Sequence, residues 1–442
     1  MMQKTALLFA GQGAQCAGMG WDWAAQFPSA KALFDRSREI LGFDLARICF
    51  DGPEEELTRT ENAQPGIFLT SWVAFQLLKE RKPDLSFHAT AGLSLGELTA
   101  LTAAGVLSFE EGLKSARQRG RFMQEACEQT HGAMAAVLGL EVSVLREVCA
   151  TANVDMANLN CPGQIVISGE TEKVAAACEL AKAKGAKRAV LLPVAGAYHS
   201  RLMAGAQPKV RAMLDALVLY PPAVPVISNV TALPHGGSED IREALTAQVV
   251  SPVRWEDSIR YLLGQGFTRF IELGPGSVLS GFVKRIEKTP LSEKGLDKDF
   301  FVKGVGESKE VLVKAVEEAL LQAAIKAVGP ARKLRSTIDP KTGDIKVFAK
   351  LVVWDEVHSK LDQISILEAR RIKADAQLAD ELEVDVTPPD FGRIASQYAK
   401  QALMRHMRHA EVQLDRPTEI TILNVADVPS LESTVKALST DS

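Results

Sequence analysis

No stretch of the 442-residue chain approaches the roughly 20 consecutive apolar residues that a membrane-spanning helix requires, so none is expected. The apolar run in the N-terminal "MMQKTALLFAGQG" is too short for a signal peptide, and no small-residue cleavage site follows it. Cysteine is sparse and one-sided. Cys16, Cys49, Cys127, Cys149, Cys161 and Cys178 are scattered without a Cys-x-x-Cys pair, and none lies beyond residue 178. That usage excludes a disulfide scaffold and fits free thiols in a reducing, cytoplasmic setting. The cysteine-free remainder is a first sign that the chain is composite. An excess of one charge is missing too: 51 basic and 55 acidic residues leave a net charge of -4. The chain as a whole has no pull toward nucleic acid or membrane, and an acidic partner would need a local basic patch. Low-complexity tracts and fixed-period repeats are absent. What remains, 46% hydrophobic and 24% charged residues over a length too great for one ordinary core, describes a soluble globular protein of two or more domains.

Short apolar runs alternate with helical patterns through the first 290 residues. "TALLFAG" (Thr5 to Gly11) reads as a buried strand, "PSAKALFDRSREIL" (Pro28 to Leu41) as an amphipathic helix entered at proline, and "FHATAG" (Phe87 to Gly92) as a short strand. A helix is expected from Ser94 or Leu95 to about Ala104, and another after the capping box of Ser108 and Glu111. Alternating β and α elements imply a mostly parallel sheet with helices on both faces. Residues 130–196 form a smaller unit in the order strand-helix-strand-strand-helix-strand, which is ferredoxin-like. Residues 292–415 change character, with charged helical stretches and a hairpin-like "TIDPKTGDIKVFAKLVV" turning at Pro340 to Asp344. Strand-loop-helix patterning returns at "EITILNVADVPSLESTVKAL".

"GLSLGELTAL" places Gly92, Ser94 and Gly96 in Gly-x-Ser-x-Gly spacing. A strand-to-helix elbow of this kind exposes the serine and aims the next backbone N–H, that of Leu95, at a developing oxyanion. The spacing alone fits a capped helix start equally well. A nucleophilic serine also needs a base. Of seven histidines, His199 in "GAYHSRLM" follows a strand and opens a helix; His88 reads as structural, and His131, His235, His358, His406 and His409 fall in loops or charged helices. Two hydrolase classes share the spacing. An α/β-hydrolase wants a His-Gly-Gly loop upstream, but His235 to Gly237 lies downstream. A patatin-like lipase wants Asp-Gly after the serine, but Asp51-Gly52 precedes it.

Ten pieces in order, including "FAGQGAQ", "TENAQPGIFLTS", "GLSLGELTAL", "RGRFMQEA", "ANLNCPGQIVISG", "GAYHSRLM", "QVVSPVRW" and "ELGPGSVLSGFVKR", make residues 4–290 and 418–440 resemble the malonyl-CoA:acyl carrier protein transacylases. The resemblance implies that Ser94 is the acylated nucleophile and His199 its base, oriented by the backbone carbonyl of Gln248. It assigns the oxyanion hole to the backbone N–H groups of Gln12 and Leu95. Arg119 would grip the malonyl carboxylate through its planar guanidinium, with Gln64 and Tyr198 lining the pocket. A bulky residue at position 198 goes with malonyl rather than methylmalonyl in related domains. Leu93 is a departure, since histidine usually precedes the serine. The implied partners are malonyl-CoA as substrate and an acyl carrier protein, in fatty-acid biosynthesis. No resident cofactor or metal is implied, because phosphopantetheine belongs to the carrier. Candidate docking charges are Lys284, Arg285 and Lys288, and Lys182, Lys184, Lys187 and Arg188 on the small unit.

The transacylase pattern stops near Lys288 and resumes beyond residue 420. The large subdomain is therefore expected from 1–129, 197–291 and 416–442, the ferredoxin-like subdomain from 130–196, and an inserted α+β domain from 292–415. The insert resembles the N-terminal domain of transcription factor NusA through "VLVKAVEEALLQAAIKAVGPARKLRSTIDPKTGDIKVFAKLVV", "ISILEARRI" and "DFGRIASQYAKQALMRHMRHAE". That resemblance implies RNA polymerase as a possible partner and no direct nucleic-acid contact, because the RNA-binding domains that would follow are absent. A passive insert, or an artificial join, would fit the sequence as well. The alternative to an enzyme is an inactive acyltransferase scaffold presenting the NusA-like module.

Overall fold

The computed structural model describes residues 3–289, 334–338, 345–359, 362–387 and 420–440. The chain divides into two compact units, Met1–Gly304 with Thr418–Ser442, and Val305–Pro417.

The first unit is built on five parallel strands. In chain order they are β1 (Lys4–Phe9), β2 (Ala89–Gly92), then, beyond the small subdomain, β7 (Val226–Ile227), β8 (Phe267–Leu273) and β13 (Thr421–Val425), arranged β13-β8-β1-β2-β7. All four pairings are parallel. Alternation along β1 explains how both faces are covered. Leu7 and Phe9 point into one core with Phe68, Leu98 and Met123, while Ala6 and Leu8 point into another with Trp255, Phe270 and Phe282. A parallel sheet buried on both faces reads as the continuous apolar run seen in "ALLF" rather than as an alternating pattern. The last strand matters for the organisation of the chain: Thr421 to Val425 pair with Arg269 to Leu273, so a segment late in the sequence completes the edge of this sheet.

Residues between β2 and β7 supply the small subdomain: β3 (Gly132–Leu138), β4 (Asp155–Cys161), β5 (Gln164–Glu170) and β6 (Arg188–Leu191), with helices Val142–Ala152 and Thr171–Ala183 between them. The sheet order β4-β5-β3-β6, antiparallel throughout, is the ferredoxin-like arrangement. Both helices pack on one face, where Leu145, Val148, Val174 and Ala177 meet Ile165 and Ile167.

In the second unit, β9 (Leu334–Ile338) and β10 (Ile345–Trp354) are antiparallel, β10 pairs with β11 (Gln363–Ser365) in parallel, and β12 (Glu381–Asp385) runs antiparallel on the other side. Leu351, Val353, Ile364, Ala369 and Leu382 form its core. The expected turn at Pro340 to Asp344, the "GVGESKE" segment, His406 and His409 lie outside the described residues.

Several elements differ from expectation in extent. The elbow helix spans Gly96–Ala103 rather than starting at Ser94 or Leu95, because Ser94 has φ of 52° and stands outside it. The strand expected from Phe87 begins at Ala89. After the two-residue strand Val226–Ile227 the chain turns back on itself, with Ala232 N–H bonded to the Ser228 carbonyl. Helix Ser108-capped Phe109–Glu128 has both bonds of the capping box.

The elbow glycines are required by space. A Cβ on Gly92 would lie 1.9 Å from the backbone carbon of Gly96, and a Cβ on Gly96 would lie 2.2 Å from the Phe9 oxygen. Backbone cannot retreat as a flexible side chain can. Gly92→Ala is therefore expected to destabilise the protein by about 2–3 kcal/mol, read as a lower denaturation midpoint. An unchanged midpoint would show that the elbow is looser than this geometry.

Candidate active site

Parallel sheets leave crevices at the carboxyl ends of their strands, where the chain crosses from one side to the other. Here β1 sits between β2 and β8, and the loops that leave these three strands carry Gln12, Ser94 and the Gly274–Ser277 turn. They border a cleft of about 250 Å³. Its opposite wall comes from the small subdomain, with Asn158, Asn160 and Val166, and from Tyr198 and His199.

Ser94 and His199 both adopt left-handed backbone, at φ of 52° and 55°. Non-glycine residues tolerate this only where surroundings hold them in place, and such strain gathers at functional sites. Two bonds hold Ser94: its N–H donates to Asn229 Oδ1 at 2.6 Å, and its carbonyl accepts from Gln248 Nε2 at 3.1 Å.

The Ser94 hydroxyl meets His199 Nε2 at 2.8 Å. His199 Nδ1 lies 2.8 Å from the Gln248 carbonyl. Gln248 is the last residue of helix Ser238–Gln248, so its carbonyl has no partner within the helix and, besides the Ser251 N–H at 3.3 Å, has a lone pair for the imidazole. A carbonyl only accepts, which puts the hydrogen on Nδ1 and leaves Nε2 as a lone pair facing the serine. Burial and the nearby positive charge of Arg119 lower His199 to about 4, against the bonds its imidazolium would donate to backbone carbonyls. The imidazole is thus neutral and competent as a base near neutrality.

The sign of that shift sets the pH dependence. The active form is the unprotonated one, so acylation by the free enzyme should rise as pH increases through about 4 and then level off. The pH profile of kcat/KM checks this; a rise centred near the ordinary histidine value would contradict the buried, cation-flanked environment.

Arg119 projects from helix Phe109–Glu128 into the packing against helix Thr60–Arg81, and is 2% exposed. Gly120 allows that approach, since a Cβ there would lie 2.6 Å from the Thr60 oxygen. One guanidinium nitrogen donates to Gln64 Oε1 at 2.8 Å; the other donates to Gln248 Oε1 at 2.8 Å and to Ser94 Oγ at 3.1 Å. Burial lowers Arg119 to about 10, partly opposed by Glu97 and Tyr198, which leaves it charged at neutral pH. A fixed cation beside the hydroxyl can receive a carboxylate carried by whatever is attached there.

Gln12 and Tyr198 close the cleft near this cation. Gln12 Nε2 donates to the Tyr198 hydroxyl at 3.3 Å, Gln64 Nε2 donates to Gln12 Oε1 at 3.3 Å, and Tyr198 also bonds Thr60. The backbone N–H groups of Gln12 and Leu95 have no acceptor among the described residues. Glu272 also borders the cleft, but its carboxylate accepts the N–H groups of Leu279 and Ser280 and so caps the next helix.

All eight site residues expected from the sequence thus sit in one place. Sequence reasoning missed four more. Glu97, Asn229 and His235 form a buried network behind the serine, and His235, expected in an unremarkable loop, bonds Glu97 at 2.7 Å with both side chains enclosed. Their signal was faint: Glu97 lies inside "GLSLGELTAL" and Asn229 inside "SNVTA", another of the ten matching pieces, with no chemistry of their own. Asn160, which lies inside the matching piece "ANLNCPGQIVISG" without an assigned role, lines the cleft with a buried Oδ1 that has no partner among the described residues. Two docking charges prove to be locally paired, Lys182 with Glu179 at 2.7 Å and Lys184 with Glu147 at 3.8 Å.

Among the described residues no helix is long and apolar enough to cross a membrane. The family model for the acyl transferase domain matches residues 6–298, and that for the NusA N-terminal domain matches residues 302–413. Over 292 residues the chain is 48% identical to the malonyl CoA-acyl carrier protein transacylase of Bacillus subtilis (strain 168), covering 65% of this chain and 92% of that protein. The solved malonyl-CoA:acyl carrier protein transacylase of Xanthomonas oryzae pv. oryzae is 41% identical, with a TM-score of 0.63 and coverage of 65% of this chain and 93% of that one. A type II polyketide synthase acyl-carrier protein in complex with its malonyl-transacylase matches at 35% identity and a TM-score of 0.63, covering 69% of this chain and all of that one. By its matched domain and by these relatives, the chain belongs to the acyl transferase domain family.

Proposed function

We propose that this protein transfers a malonyl group from malonyl-CoA to the phosphopantetheine thiol of an acyl carrier protein, for fatty-acid synthesis, through a malonyl ester on Ser94. The observation that carries the reading is a single oxygen with two neighbours: Ser94 Oγ lies 2.8 Å from a neutral imidazole nitrogen and 3.1 Å from a buried guanidinium.

Ser94 Oγ attacks the thioester carbonyl while His199 Nε2 takes its proton. The oxyanion is received by the N–H groups of Gln12 and Leu95. The carbon–sulfur bond breaks, coenzyme A leaves with the proton from His199, and malonyl remains on Ser94. The carrier thiol then gives its proton to His199 and attacks the ester; Ser94 leaves and recovers the proton. The Gln248 carbonyl keeps the imidazole oriented, so a third carboxylate is not required. Arg119 pairs with the free malonyl carboxylate, while acetyl would leave that cation facing a methyl. Gln64 and Tyr198 bound the acyl pocket. Arg285, which donates to Gln164 beside the cleft, is among the basic residues that would meet an acidic carrier.

Mixing the protein with malonyl-CoA and a phosphopantetheinylated carrier tests the reading. Malonyl-carrier and free coenzyme A should form in equal amounts. Release of coenzyme A with malonate instead of malonyl-carrier would make the protein a hydrolase.

The match of residues 302–413 to the NusA N-terminal domain supports a separable proposal, that the second unit binds RNA polymerase. Trp354, Leu367, Ile372 and Leu378 are exposed on its described part. Retention of polymerase by the full chain, lost on deleting 292–415, is the expected result; equal retention by both would overturn it.

A further inference from the structure

The proposed chemistry leaves a buried carboxylate unused. Glu97, in the first turn of helix Gly96–Ala103, is fully enclosed. Its Oε2 accepts from Gln248 Nε2 at 2.7 Å and from the Asn229 N–H at 2.9 Å, and its Oε1 meets His235 Nε2 at 2.7 Å. Two of these partners, Asn229 and Gln248, in turn hold part of the site. Asn229 Oδ1 accepts the Ser94 N–H at 2.6 Å and Asn229 Nδ2 donates to the Gly92 carbonyl at 2.8 Å, so this one amide pins the elbow on both sides of Leu93. Gln248 binds Arg119 through its side-chain oxygen and His199 through its backbone oxygen.

A buried amide can be flipped by 180° at little cost unless its neighbours forbid it. Glu97 and the Ser94 carbonyl forbid it from the NH2 side and Arg119 from the oxygen side, Glu97 through the shortest of these bonds. A carboxylate accepts only, so the NH2 end of Gln248 must face it and the oxygen must face Arg119. Bonds to an ionised group are roughly twice as strong as neutral ones, which makes this preference firm. Among the described residues no carboxylate touches Arg119 directly. A buried cation needs compensation, and the negative charge that supplies it is Glu97, relayed through the dipole of Gln248.

Resting on the malonyl-transfer reading, we infer that Glu97 is a positioning residue that sets acyl selectivity: it fixes the Gln248 amide, and thereby aims Arg119 at the acyl group on Ser94. Glu97→Gln keeps shape but removes the charge, and with it the charge-assisted bond to Gln248 Nε2, loosening an amide that Arg119 and the Ser94 carbonyl still orient. Glu97→Asp keeps the charge but is one methylene too short to reach Gln248, Asn229 and His235 together.

The test measures kcat/KM for Ser94 acylation by malonyl-CoA and by acetyl-CoA in the full chain, with melting temperature alongside. In Glu97→Gln the malonyl-over-acetyl ratio should fall on the order of tenfold, as expected for a binding group misaimed by a fraction of an ångström. In an Arg119→Ala background the same change should leave the ratio nearly unaltered, because the group being aimed is gone. A merely structural residue would lower both substrates by one factor, and that unchanged ratio would overturn the inference. Should Glu97→Gln not fold, Glu97→Asp decides by the same ratio. The wild-type arm separates the two levels: a wild type that takes no malonyl refutes the reading beneath, whereas a normal wild type with unaltered variant ratios refutes the role of Glu97 alone.

Discussion

His199→Ala is expected to slow acylation of Ser94 by about a thousandfold, the scale of a lost general base. The alanine removes the nitrogen 2.8 Å from Ser94 Oγ and leaves the hydroxyl with its proton and no acceptor for it. The oxyanion donors and Arg119 stay in place, so substrate binding should change little and the loss should fall on the chemical step. Single-turnover acylation at saturating malonyl-CoA separates the two. A fall confined to KM, with the chemical step intact, would mean that His199 serves binding and that another base activates the serine.

Arg119→Ala should reverse the choice of acyl group. A carboxylate facing a buried cation forms charge-assisted bonds, and truncating one partner of such a pair costs about 2–4 kcal/mol, roughly 30- to 1000-fold in kcat/KM for malonyl. Acetyl carries no carboxylate to lose its partner at that position and should escape this loss. Truncation also strips Gln64 Oε1 and Gln248 Oε1 of their donor. Some loss common to both substrates is expected from those unpaired oxygens. The ratio of malonyl to acetyl turnover is therefore the quantity to measure. A ratio that stays in favour of malonyl would mean that the substrate carboxylate binds elsewhere.

The two residues differ in how openly the sequence announces them. The elbow is partly local: a Cβ on Gly92 would strike Gly96 four residues on, and although the one on Gly96 would strike Phe9 of the neighbouring strand, the spacing that this backbone packing demands is the spacing printed in the chain. The sheet was legible for a related reason, since strands buried on both faces read as continuous apolar runs, as Ala6 to Phe9 do. His199, Arg119 and Gln248 are remote from Ser94 in sequence, and periodicity says nothing about which helix face will meet them. They were found through resemblance. Glu97 and His235 escaped even so. A glutamate beside an elbow and a histidine in a loop look like solvated groups, and only the fold, by carrying the turn after β7 behind the elbow helix, encloses them together. The boundaries that failed, at Phe87 and Ser94, are both places where tertiary bonds decide the backbone. Ser94 leaves the helix because Asn229 and Gln248 hold it in left-handed conformation, and no propensity of serine foretells that.

Every step above depends on one ester. The full chain mixed with malonyl-CoA, quenched in acid, digested and mapped by mass spectrometry, should carry a malonyl group on the peptide containing Ser94 and nowhere else. Addition of carrier protein should discharge it. Correctly folded protein that stays unlabelled, or a malonyl group on one of the six cysteines with Ser94 bare, would contradict the account.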